Sequence, residues 1–188
     1  MSVEPTRGRP WESRDDALLP RALTGLLDSR VSAHFGVARS EMQVSPVRTY
    51  SDGSGAVAVF SVPARDGAPR QLSGRAEMIV VSALAVENGP SEAGLDSIRE
   101  EYDHPGVRVV EMEAPGWNVA YSVFVDAGTA YAGGAVLRFV KLCGPAALSV
   151  TLSGVRGPVD HDEARSVALA ILHAAGWADD SARRAVGG

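Results

Sequence analysis

The 188-residue chain is short of almost every residue type that announces a chemistry. Cys143 is its only cysteine, which excludes an internal disulfide and suits a reducing, cytoplasmic setting. Lys141 is the single lysine among 18 basic residues, the others being arginine. The codon bias of a GC-rich bacterial genome accounts for that skew and lowers the weight of any one arginine as a clue. No apolar run approaches the roughly 20 residues of a membrane span. The polar stretch from Met1 to Asp16 lacks the apolar segment of a secretory leader. A net charge of -5 and a pI near 5.4 argue against a general nucleic-acid binder, which needs a basic face. Nucleophile elbows, dinucleotide loops, kinase-type phosphate sites and metal-ligand spacings are all missing. No catalytic residue can be named, and neither a cofactor nor a metal is expected.

What is present is a well-patterned globular chain. Its apolar content of 45% is enough to bury a core, and the length suits one domain. A loose arm is expected over residues 1–16, a single domain over 17–177 and a frayed tail over 178–188. Leu23, Leu26, Leu27, Val31 and Phe35 recur at helical spacing after Pro20, with Gly36 as the stop. Met42 to Tyr50 and Ala56 to Val62 read as a hairpin joined by Ser51-Asp52-Gly53-Ser54-Gly55. Ala76 to Val86 is almost continuously apolar, the pattern of a central strand covered on both faces.

The second half carries the clearest signal. Ser91 caps an expected helix with Leu95, Ile98 and Tyr102 on its buried side, and Pro105 ends it. Four strand-like runs follow: Val107 to Met112, Trp117 to Val125, Tyr131 to Leu142, and Leu148 to Leu152. Several of them alternate with period two. A last helix from Asp160 to Ala175 presents Ala164, Val167, Ala168, Ile171, Leu172 and Ala175 on one face. Asp160 and Glu163 resemble a capping box, and Gly176 is the expected stop, with Trp177 folding back onto the last turn. The fold class is therefore α+β, an antiparallel β-meander sheet flanked by helices.

The order of strands, helix, four-strand meander and helix resembles the PsbP-like fold over roughly Met42 to Trp177. His104-Pro105-Gly106-Val107-Arg108-Val109 and Gly116-Trp117-Asn118-Val119-Ala120-Tyr121 are similar to the helix-to-strand junction and the following strand of actinobacterial LpqN-type lipoproteins. The resemblance implies an α/β/α sandwich that binds a partner or ligand. The chain departs from that group in lacking a lipobox cysteine and in carrying an extra leading helix.

Several residues are candidates for chemistry. Asp103-His104 offers an acid–base pair, against which stands the simpler view of a solvated helix end. Asp160-His161-Asp162 invites a metal, but neighbours on a helix fan apart, and capping explains both aspartates. Arg138 alternates with Val136 and Val140; if that face is buried, its charge demands an acidic partner or an anionic ligand. At an edge it would only snorkel. Lys141 and Cys143 share the other face, as a strand-end lysine and a small hydrophobe. Trp117, Tyr121 and Tyr131 are candidates for an aromatic wall or anchor beside Arg138, with core packing as the plainer alternative.

Two functions follow as expectations. The first is a soluble, non-catalytic module binding a protein partner or a small hydrophobic ligand through Trp117, Tyr121, Tyr131 and Arg138. The second is a cofactor-independent cyclase or isomerase of specialised metabolism, driven by shape and a few polar groups.

Overall fold

The computed structural model describes residues 18–63, 72–85, 105–125, 134–143 and 146–178. The expected helix from Ser91, the Asp103-His104 pair, Tyr131, the arm at 1–16 and all but the first residue of the tail lie outside them.

Seven antiparallel strands form one open sheet. In chain order they are β1 (Gln43–Thr49), β2 (Gly55–Ser61), β3 (Met78–Ala85), β4 (Val107–Glu111), β5 (Val119–Val125), β6 (Ala135–Cys143) and β7 (Ala146–Val155). Their spatial order is β1-β2-β3-β7-β6-β5-β4. Two meanders, β1 to β3 and β4 to β7, are thus sewn together by the antiparallel pairing of β3 with β7. Both expected hairpin partners near the N-terminus pair as read, Val44 opposite Phe60 and Thr49 opposite Ala56. The outer strand β1 carries Pro46 and a register shift between Ser45 and Arg48. Proline there withholds no ladder donor from a neighbour and blunts the edge.

Two helices, α1 (Leu23–Phe35) and α2 (His161–Ala174), pack against each other. Each follows its expected face: Leu23, Leu27, Val31 and Phe35 of α1 are buried, as are Ala164, Val167, Ala168, Ile171 and Leu172 of α2. They share one core with Ala58 and Phe60 of β2, Val81 of β3, Val150 of β7 and Phe139 of β6. We call this side of the sheet the helix face. Leu26, also at helical spacing, is exposed. Both helices stop as expected: Gly36, at φ 69°, donates its N–H to Ala33 O, and after α2 the Trp177 N–H reaches Leu172 O. The Trp177 ring turns inward, and its Nε1–H donates to Leu18 O at 3.1 Å.

Two readings of the sequence need correction. The apolar run of β3 is not covered on both faces. Burial alternates along it, with Ile79, Val81 and Ala83 enclosed while Met78 and Leu84 are about 40% exposed. Its far side simply faces away from α1 and α2. The capping box is also only half made. Asp160 caps α2 by accepting from the Glu163 N–H at 3.0 Å, but the Glu163 carboxylate turns away to other partners, and the Asp160 N–H goes to Gly74 O.

Candidate functional site

The strand registers define a second side, the far face, on which residues two apart line up across the sheet. One row runs Val59, Val80, Thr151, Arg138, Tyr121, Glu111 from β2 to β4. Arg138 is therefore no edge residue, because β6 lies between β7 and β5. Its Nε–H donates to Ser149 Oγ at 2.9 Å, and Nη1 donates to the Tyr121 hydroxyl at 3.4 Å. Ser149 and Tyr121 are buried, 7% and 4% exposed, whereas Arg138 is partly open.

That arrangement has a clear electrostatic character. A guanidinium carries five N–H donors, so among the described residues two hydrogen bonds to neutral hydroxyls leave three donors and the charge uncompensated. No carboxylate pairs with Arg138 among the described residues. Glu111 stands two strands away in the same row, beyond Tyr121, at roughly 10 Å between backbones. Val136 and Val140 on its own strand, and Val119 opposite Val140, are partly open too. The result is a cation held in place by hydroxyls and set among valines.

The other sequence candidates scatter. Trp117 packs on the helix face, its ring 5.6 Å from that of Phe139, so it shares no pocket with Arg138. Its enclosed indole N–H has no hydrogen-bond partner. Of the described members of the aromatic–arginine set, Tyr121 and Arg138 come together. Lys141 pairs in register with Leu148 on the side opposite Arg138. Around the start of α2 the three neighbours diverge as a capped helix requires. Asp160 caps, Asp162 pairs with Arg165, and His161 Nδ1 lies 3.1 Å from Met112 Sδ. Among the described residues no cluster of metal-ligating side chains is present.

A second polar cluster escaped the sequence reading altogether. His34, near the end of α1, is 1% exposed. Its Nδ1 lies 3.2 Å from Glu163 Oε1 on α2, and its Nε2 lies 3.2 Å from the Ala76 backbone nitrogen. The backbone N–H can only donate, so Nε2 keeps its lone pair and Nδ1 carries the proton. Arg30 grips the same carboxylate with two bonds of 2.8 and 3.1 Å, and Arg75 ties the end of α1 by donating to Ala33 O and His34 O. Burial pushes the His34 pKa below its ordinary value, outweighing the opposite pull of Glu163. Burial raises the Glu163 carboxyl, but the hydrogen bonds from Arg30 and His34 more than offset this and hold it low. With both ring nitrogens committed inside the protein, this cluster clamps two helices to the entry of β3. His34 has no free ring nitrogen to offer a substrate.

Fold and site together define an α+β protein with both described helices on one face of its sheet and a hydroxyl-held arginine on the other. No family model, no curated protein and no solved structure matches the chain.

Proposed function

We propose that the protein is a non-catalytic binding module that takes a protein partner or a small hydrophobic ligand on the far face of its sheet. The observation that carries this reading is Arg138, a partly buried guanidinium whose side-chain partners among the described residues are the hydroxyls of Ser149 and Tyr121. A charge kept in such a place without a carboxylate is costly unless something completes it. The open valines beside it supply apolar contact for the same occupant. The succession of strands and capped helices supports a PsbP-like reading of the fold. The lone cysteine favours a reducing compartment such as the cytoplasm. Among the described residues no helix is long and apolar enough to cross a membrane. The alternative of a cofactor-independent cyclase or isomerase gains no pocket shared by Trp117 and Arg138, because Trp117 packs on the helix face.

Native mass spectrometry on protein purified gently from producing cells tests the proposal. A defined bound mass should accompany the wild type and be absent from Arg138→Met, whose side chain keeps the apolar stem. A bound species retained equally by Arg138→Met, or perturbing only residues of the helix face by NMR, would refute a far-face site.

A further inference from the structure

Resting on that reading, we infer that the occupant of the far face is a small amphiphilic monocarboxylate, its carboxylate on Arg138 and its hydrocarbon part along Val119, Val136 and Val140. Three features of the site select this chemistry. The first is the fork: with Nε on Ser149 and one Nη1 hydrogen on Tyr121, the remaining three N–H donors lie on Nη1 and Nη2. Two adjacent donors in one plane match the two oxygens of a carboxylate.

The second is the charge count. Among the described residues, the far-face positions of β5 and β7 that flank Arg138 hold no second arginine or lysine. One guanidinium balances a monoanion, whereas a phosphate dianion would keep an unpaired charge in a chain whose net charge is already -5. The third is the surround. Val119, Val136 and Val140 are only partly covered. A hydrophilic acid would leave them wet, while an alkyl or ring system continuing from the carboxylate removes their apolar surface from water. Ser149 and Tyr121 already satisfy the side of the guanidinium that faces the sheet, so the site is oriented before anything binds.

The test is a titration of the full chain with decanoate, 1-decanol, decyl phosphate and a glutamate-bearing peptide, followed by isothermal calorimetry and by amide NMR shifts. Decanoate should bind saturably, perturb β5, β6 and β7, and bind Arg138→Met at least about tenfold more weakly, the loss expected of one charged hydrogen-bonded contact. Arg138→Lys, which keeps the charge but not the fork, should fall between the two. Dispersed amide spectra verify that each variant is folded. Equal affinities for decanoate and decanol, or an unchanged affinity in Arg138→Met, would overturn the carboxylate while leaving far-face binding standing. Tighter binding of decyl phosphate would assign a dianion instead and also overturn it. Binding of the peptide without decanoate would replace the small acid by a protein partner. Failure of all four probes to shift any far-face resonance would remove the inference together with the far-face reading beneath it.

Discussion

Replacing Glu163 by alanine cuts three hydrogen bonds at once, because the carboxylate accepts two from Arg30 and one from His34. Their contributions differ. Arg30 and Glu163 side chains are 28% and 19% exposed, so water can replace part of their bidentate pair. That part of the loss should be about 1–2 kcal/mol. The Nδ1–H of His34 has no such refuge at 1% exposure and would be left without an acceptor, adding about 1–2 kcal/mol. The sum is about 3 kcal/mol. For a domain of this size that lowers the melting temperature by roughly 6–12 °C. Glu163→Gln keeps a carbonyl oxygen for His34 and should lose about half as much. Urea unfolding at neutral pH, with calorimetry for the midpoint, measures both variants. Glu163→Ala within about 0.5 kcal/mol of wild type would refute the clamp. Equal losses in the Ala and Gln variants would show that His34 does not depend on this acceptor.

Acid should weaken the same joint in two stages. The His34 pKa is lowered from 6.5 by burial, so stability is full above that value and declines as the pH falls from it toward the lower folded pKa. Unfolding free energies measured across this range should show the decline in wild type and a flatter profile in His34→Gln. Glu163 is held below 4.5, so a further loss should follow under more acid conditions as its carboxylate protonates, and Glu163→Gln should lack it. In α2, Ile171→Ala should cost about 2–5 kcal/mol because Ile171 is fully buried between helix and sheet. Ser166→Ala should lose no more than about 0.5 kcal/mol, since exposed Ser166 forfeits only one bond from Arg30. Equal unfolding midpoints for this last pair would mean the helix faces are misassigned.

Local pattern made most of the fold legible. The alternation through Val119, Tyr121 and Val123 is a direct print of a strand with two different faces, and the strand forms there. In α2 the apolar spacing and the Asp160 cap both act within a few residues, so they can be read without knowing the rest of the molecule. What could not be read depends on which elements meet. Glu163 fits a capping box by spacing, yet Arg30, 133 residues away, is the stronger partner for a carboxylate than the backbone N–H of its own helix. His34 gave no signal at all, because its partners Ala76 and Glu163 are brought to it by tertiary packing. The site divides along the same line. Alternation with Val136 and Val140 marked Arg138, and Tyr121 was legible as an aromatic on the next strand. Ser149 was invisible as its partner because only the pairing of β6 with β7 sets them side by side. Trp117 was misleading for the opposite reason. It precedes β5 rather than lying within it, so the period-two rule did not fix its side.

The hydrogen bond from Trp177 to Leu18 bears on how the chain could be rewired. It brings residues near the two ends of the described stretch into contact, 159 residues apart in sequence. A short Gly/Ser linker between those ends would close the backbone into a ring without stretching any strand. The ring could then be reopened at the exposed Asp52-Gly53 turn between β1 and β2, where no core residue lies. Such a permutant would keep every strand pairing and the α1–α2 contact, while moving the new termini to the edge of the sheet farthest from β4. Tags or surface attachments placed there would stand clear of Arg138, with β2, β3 and β7 between them.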